Sequence, residues 1–253
     1  MSSKLIVITG VSKGLGRAMT TYFLSHGHTV IGCARSQDII SDMKVQFASA
    51  SDRCHLSVVD VSEDAQVEAW AKTALKVASP DIVINSVGVA NMFAPIWQVS
   101  SAEFNQVIDT GLKSHASVMR HYLPDMINAG RGLLVNFTSM FGTQPLGCLA
   151  PYSAAKHGVE GLSNAVSQEL PAPLCSVILD PGVVRSNMSD TVLPAEIATR
   201  LVPAHDWAQK ACPFILTIDR SMNGQTLSIP KLVDLPCGCT IKDGTIIFQG
   251  IDY

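Results

Sequence analysis

Along most of the chain, short runs of apolar residues alternate with longer stretches in which apolar side chains return every three or four positions. Leu5–Thr9, Thr29–Ala34, His55–Val59, Asp81–Asn85, Gly132–Phe137 and Cys175–Leu179 are nearly all apolar, as strands covered on both faces are. Between them, Gly14–His26 places Leu15, Ala18, Met19, Tyr22 and Phe23 on one helical face. Glu63–Val77, Ser101–Asn128 and Pro151–Leu170 read as further helices. This alternation predicts an α/β fold: one doubly wound parallel sheet of about seven strands with helices on both faces. The rhythm changes near the end. Asn223–Ile229 reads as a last strand, and Cys239–Lys242 and Thr245–Phe248, flanking Asp243-Gly244, read as a β-hairpin. No linker or repeat interrupts the pattern, so residues 1–229 are expected to form one domain, with 230–253 an extension packed on it.

Composition narrows the function classes. The 253 residues are 47% hydrophobic and 15% charged, with a net charge of −3 and no basic run, which argues against a nucleic-acid partner. No apolar run reaches membrane-spanning length, and the N-terminus lacks a signal-peptide pattern. The seven cysteines are scattered; only Cys237 and Cys239 are close-set, and no metal pattern is completed. A reduced, cytoplasmic setting is the simplest expectation.

The first run leads directly into Thr9-Gly10-Val11-Ser12-Lys13-Gly14-Leu15-Gly16, which opens a helix. Glycines allow a pyrophosphate to approach the backbone, and the helix N-terminus offers it free N–H groups and partial positive charge. An acidic residue ending the second strand would select NAD; here Arg35 stands there instead, with Ser36 beside it and Lys13 in the loop, a set suited to the extra phosphate of NADP. Asp38 is expected to cap the next helix. After the third strand, Asp60, followed by Val61, either accepts from an adenine amino group or caps a helix. Asn85-Ser86-Val87-Gly88 ends the fourth strand, where small residues let the backbone pass close to a ribose.

Tyr152 and Lys156 lie four residues apart, on one helical face. An ammonium near a phenol is expected to lower the phenol pKa and make it a usable proton donor. Thirteen residues before the tyrosine, Ser139 ends a strand.

Together these motifs resemble the short-chain dehydrogenase/reductase family over roughly residues 4–229. Its glycine pattern is matched by Thr9, Gly10, Gly14 and Gly16, its Asn-Asn-Ala-Gly partly by Asn85–Gly88, and its Ser and Tyr-x-x-x-Lys by Ser139, Tyr152 and Lys156. Its Pro-Gly motif is matched by Pro181 and Gly182. The resemblance implies an NADPH-dependent carbonyl reduction, or its reverse. Tyr152 would be the proton donor, Ser139 a hydrogen-bond donor to the carbonyl oxygen, and Lys156 a partner of both Tyr152 and the nicotinamide ribose. Asn85 would sit near that ribose. Val183 and Val184 would contact the carboxamide, and Ser186 or Asn187 would close over the pyrophosphate, with Met188 in the same loop. In the family, an asparagine kinks the fourth helix and its carbonyl holds a water joining the lysine to solvent. Gly111 stands at that position here; glycine can also kink a helix and keeps its carbonyl.

Met140, Phe141, Leu146, Cys148 and Leu149 are expected to wall the substrate side, with Met188, Val192 and Leu193 opposite. This apolar lining suits a neutral carbonyl compound, with Arg185 a candidate for any carboxylate. His115, His121, His157 and His205 read as surface or core-edge residues. The resemblance implies a homodimer or homotetramer through the fourth and fifth helices, with Phe104, Val107, Ile108, Val118 and Met119 available. A different function class stays open: an NADP(H)-binding member with weak or no catalysis, acting as a regulatory or structural partner.

Overall fold

The run Leu5–Thr9 is buried at every position and becomes β1 of a parallel sheet. The computed structural model describes residues 2–192, 195–229, 239–242 and 245–248, without the side chains of 188, 191, 192, 197 and the last two segments. The chain continues through α1 (Gly14–Ser25), β2 (Thr29–Ala34), α2 (Gln37–Gln46), β3 (Cys54–Val58), α3 (Asp64–Ala74) and β4 (Ile82–Asn85). Then come α4 (Ser101–Ile108), α5 (Ser114–Asn128), β5 (Leu133–Phe137), α6 (Ala150–Glu169) and β6 (Cys175–Asp180). The last part holds β7 (Val184–Arg185), α7 (Asn187–Val192), α8 (Ala195–Ala198), β8 (Val202–Pro203), α9 (Ala204–Ile215), β9 (Thr226–Ser228), β10 (Cys239–Lys242) and β11 (Thr245–Phe248).

Seven strands pair in the order β3-β2-β1-β4-β5-β6-β9, all parallel. The order reverses between β1 and β4, which opens a crevice at their carboxyl ends. Strand alternation sends Ile6, Ile8, Ile82 and Ile84 to one face, under α1, α2 and α9. Leu5, Val7 and Val83 face the other side, under α3, α5 and α6. β10 and β11 pair antiparallel, as the hairpin pattern predicts; Asp243, Gly244 and Cys237 lie outside the described residues.

Two expectations from the sequence are corrected, and one helix is added. The helix read over 101–128 is two helices, separated by a π-helical segment, Asp109–Lys113, centred on Gly111. A Cβ at Gly111 would lie 3.2 Å from the Ala155 Cβ, so the missing side chain lets this segment press against α6 one residue before Lys156. Gly111→Asn is therefore expected to push on α6 and lower turnover rather than restore it; kcat and the melting temperature of the variant check this. α9, unforeseen in the sequence, buries Trp207, Ala208, Ala211, Cys212 and Ile215. Their spacing is helical, but Pro203 before it and Pro213 within it mask the pattern. Finally, the cap of α2 is Ser36, whose hydroxyl accepts from the Ile39 N–H at 3.4 Å; Asp38 is in its first turn.

Among the described residues no helix is long and apolar enough to cross a membrane. Val107, Val118 and Met119 are buried in the chain's own core, so of the residues named for self-association Phe104, at 38% exposed, is the outward-facing one.

Candidate active site

The glycine loop turns because Gly10 adopts φ +79°, with the N–H groups of Gly10 and Val11 both held by the Cys33 carbonyl at 2.8 and 3.1 Å. Ser86 braces it, its hydroxyl donating to the Thr9 carbonyl at 2.7 Å and its N–H to the Thr9 hydroxyl at 3.1 Å. A Cβ at Gly16 would fall 2.2 Å from the Gly10 oxygen, so only glycine lets the helix start this close to the turn. Lys13, the cap of α1, is extended and contributes no side-chain cap, and the first turn holds no acid. The first N–H groups of α1 are thus left for an anion.

A cleft of about 740 Å³ runs from this loop across the sheet ends. Of the residues picked from the sequence, Gly10, Ser12, Lys13, Gly14, Leu15, Gly16, Arg35, Asp60 and Val61 line it. So do Ser86, Val87, Gly88, Ser139, Tyr152, Lys156, Pro181, Gly182, Val183, Val184 and Ser186. The glycine cradle and the cations Lys13 and Arg35 at one end fit a phosphate-rich dinucleotide. Asp60 neither caps α3 nor points freely. One oxygen accepts from the N–H and hydroxyl of Ser62 at 3.0 and 2.7 Å; the other lies 3.9 Å from Arg35.

Two picks lie off the wall. The Asn85 side chain is buried under the sheet end, donating to Asn136 at 2.9 Å, and Ser36 is occupied as the α2 cap. Met188 belongs to α7, and its side chain lies outside the described residues. Leu146 is buried behind Phe141 and Leu149, which do line the cleft. Arg185 lies 3.5 Å from Asp190 and off the wall. Lining residues that motif reasoning passed over include Asn91, Met92, Thr110, Ser189 and Asp190. They come from the loop after β4, from the π-helical segment and from the six-residue α7, all too short or irregular to give a periodic signal. The Pro181–Gly182 loop is anchored by α9, through Trp207 Nε1 donating to the Pro181 carbonyl at 3.0 Å.

Tyr152 and Lys156 stand near the start of α6, both buried. Burial pushes the Tyr152 phenol up to about 12; a hydrogen bond with the Ser139 hydroxyl pulls it partly back, and the Asp180 carboxylate raises it. The expected lowering by Lys156 is not present in this state. Its Nζ sits 5.9 Å from the Tyr152 ring centre and donates to the Phe137 carbonyl at 2.8 Å. Burial brings Lys156 down to about 8, against the pull of Asp180. Asp180 is itself raised by burial, opposed by a hydrogen bond from the Gly182 N–H at 2.9 Å.

The structure also overturns the reading of His115, which is 1% exposed in α5. Ser114 spends its one proton on the Thr110 carbonyl at 2.6 Å, so His115 Nδ1, 3.3 Å from the same oxygen, must be the donor there. Nε2 has no well-aligned partner. Burial, reinforced by the charge of Lys156, lowers His115 to about 3, with the Asn85 backbone opposing. Unfolded histidine takes up its proton near pH 6.5 while the folded one resists, so stability falls as pH drops from about 6.5 towards 3. His115→Leu should flatten that slope by about 5 kcal/mol across the window, read from denaturant melts at stepped pH.

The glycine turn with the cations Lys13 and Arg35, and the residues Ser139, Tyr152 and Lys156, share one cleft. Residues 4–196 match the family model described as short chain dehydrogenase. The chain belongs to the short-chain dehydrogenase family. Within it, the chain is 36% identical over 230 residues to the NADPH-dependent pterin aldehyde reductase of Arabidopsis thaliana, covering 90% of this chain and 94% of the relative. It is 27% identical over 182 residues to an NADP-dependent 3-hydroxy acid dehydrogenase of Escherichia coli K12, covering 71% and 72%. The same fold occurs in an alcohol dehydrogenase from Thermococcus sibiricus, with a TM-score of 0.81 and 21% identity, covering 93% of this chain and 99% of that one. As a short-chain dehydrogenase, the protein is an oxidoreductase.

Proposed function

We propose that this short-chain dehydrogenase uses NADPH to reduce the carbonyl of a planar, mainly apolar aldehyde or ketone to an alcohol. The observation that carries the proposal is the placing of Ser139, Tyr152 and Lys156 on one cleft with the glycine cradle and Arg35. The apolar wall of Val89, Ala90, Met92, Phe141 and Leu149 suits a flat ring. The Arabidopsis relative, by its name a pterin aldehyde reductase, directs the choice to an aldehyde on a fused heteroaromatic ring.

NADPH, when bound, supplies the hydride that goes to the carbonyl carbon. Gly10, Gly14, Gly16 and the first turn of α1 would hold its pyrophosphate, and Arg35 with Lys13 its 2′-phosphate. Tyr152 gives its phenolic proton to the carbonyl oxygen, so the oxygen leaves as an alcohol and the tyrosine as phenolate. Ser139 donates a hydrogen bond to the same oxygen as charge builds on it. The charged Lys156 stabilises the phenolate left behind. Below about pH 8 Lys156 keeps its proton, which favours this direction of transfer.

Self-association into a dimer or tetramer and a cytoplasmic setting belong to the same reading. The exposed Phe104 supports the first, and the five free cysteines among the described residues the second. The test is NADPH oxidation by the full chain with a panel of aldehydes, ketones and diketones. Turnover on at least one fused-ring aldehyde is expected. Tight NADPH binding without turnover on any of them would favour the non-catalytic alternative.

A further inference from the structure

Met92, Phe93, Ile96 and Trp97, close together in the loop after β4, all expose large apolar side chains. Trp97 is 81% exposed and Met92 64%, whereas Trp70 and Trp207 are buried. Apolar side chains exposed singly are ordinary, but a group of them on one loop marks a binding surface.

Polar bonds fix this loop on both sides. The Met92 N–H donates to the carboxylate of Glu103, in the first turn of α4, at 2.6 Å, which closes residues 92–103 into a compact loop. The Ser100 hydroxyl, the cap of α4, accepts from the Glu103 N–H at 3.2 Å. On the other side, the Ala94 N–H and the Asn91 amide donate to the Cys148 carbonyl at 3.2 and 2.9 Å. Cys148 stands four residues before Tyr152, just ahead of α6. The loop is therefore anchored to the segment that carries the phenol. Met92 belongs to two surfaces, since it lines the cleft and is open to solvent. The apolar wall of Val89, Ala90, Met92, Phe141 and Leu149 thus continues outward onto the loop. Residues 86–112 contain no Lys, Arg or His, and their charges are Glu103 and Asp109. Such a surface does not suit an anionic membrane, which is held by cations.

We infer that Phe93, Ile96 and Trp97 form, with Met92, an apolar shelf at the rim of the cleft that holds an apolar arm carried by the ring of the aldehyde substrate. The inference rests on the reductase reading above and adds to it a specificity for what projects beyond the ring. An arm on a ring stacked against Met92 meets the shelf as it leaves the cleft. Laid on an open shelf, each methylene is covered on one side, which is worth about half of full burial, or about two-fold in affinity.

The test uses the full chain with NADPH and 2-naphthaldehydes bearing hydrogen, propyl or hexyl at the 6-position. The readout is the ratio of kcat/KM for the hexyl compound to that for the unsubstituted one, which cancels any general change at Tyr152. In the unaltered protein this ratio should be at least about ten, with the propyl compound between. In the double variant Phe93→Ser, Trp97→Ser it should fall below about three; both positions are exposed, so the fold does not depend on them. A ratio near one in the unaltered protein, or a ratio of ten that survives in the double variant, would overturn the inference. Sedimentation of both proteins covers the rival occupant, a second copy of the chain. A double variant that becomes monomeric while keeping the ratio assigns the loop to self-association instead. A second measurement does not need turnover: calorimetric titration of the NADP-loaded protein with the corresponding naphthalenemethanols. The hexyl alcohol should bind at least about ten-fold more tightly than the unsubstituted one, and less than three-fold more tightly in the double variant. If no aldehyde is reduced, the reductase reading fails, and the alcohol affinities still decide the shelf. Equal affinities in the unaltered protein, or no binding of either alcohol, overturn it.

Discussion

Tyr152→Phe is expected to cut kcat for carbonyl reduction by about a thousand-fold, within the 10²–10⁴ range of general acid catalysis. The variant removes one oxygen from a residue that is 8% exposed and leaves the ring in contact with Phe141, centroids 6.5 Å apart. Neither the cradle at Gly10–Gly16 nor Arg35 depends on that oxygen, so NADPH affinity, read by fluorescence, should stay within about three-fold. A variant that retains more than a tenth of the rate would remove Tyr152 from the chemistry. The pH profile of the unaltered protein gives the companion result. Lys156 loses its proton at about 8 in the buried site, and Tyr152, at about 12, then lacks the charge that would stabilise its phenolate. Reduction should therefore hold up to about pH 8 and decline above it. Lys156→Met should bring the low rate to all pH values rather than move the limb.

The second large effect is expected from Arg35→Asp. The Arg35 side chain is 54% exposed and lies 3.9 Å from Asp60, an ion pair too open to matter much for stability. Its fork is suited to a 2′-phosphate dianion. An aspartate there would repel that phosphate, with Asp60 beside it, and would accept from the 2′-hydroxyl of NADH instead. NADPH affinity should fall about a hundred-fold, equivalent to about 3 kcal/mol, while NADH affinity stays within three-fold or improves. The melting temperature should move by no more than about 2 °C, in keeping with a surface substitution. Equal losses for the two cofactors would reject Arg35 as the phosphate reader.

Much of this protein can be read along the chain, because the signals are local. Apolar runs between helical periods specify a parallel sheet, since each strand must be covered on both faces. Gly10, Gly14 and Gly16 announce a tight turn opening a helix, a candidate phosphate loop, because their use is a backbone property. Ser139, Tyr152 and Lys156 are recognisable by spacing, as a helix puts positions i and i+4 on one face. What spacing does not carry is the environment that distant segments create. Whether Tyr152 is a stronger or weaker acid than free tyrosine depends on how deeply α6 is buried and on where Lys156 Nζ points. In this state that atom is held by Phe137, and burial prevails. The break of the long helix at Gly111 depends on Ala155, 44 residues away in sequence, and the seclusion of His115 on the sheet beneath it. The Asn91 amide is fixed by Cys148, on the far side of β5. The chain by itself thus determined the sheet, the glycine turn and the identity of the candidate catalytic side chains, through short-range periodicity and turn chemistry. Tertiary packing alone decided their protonation, the break near the lysine and the polar contact in the substrate wall. Desolvation and hydrogen-bond geometry are set by neighbours that become neighbours only on folding.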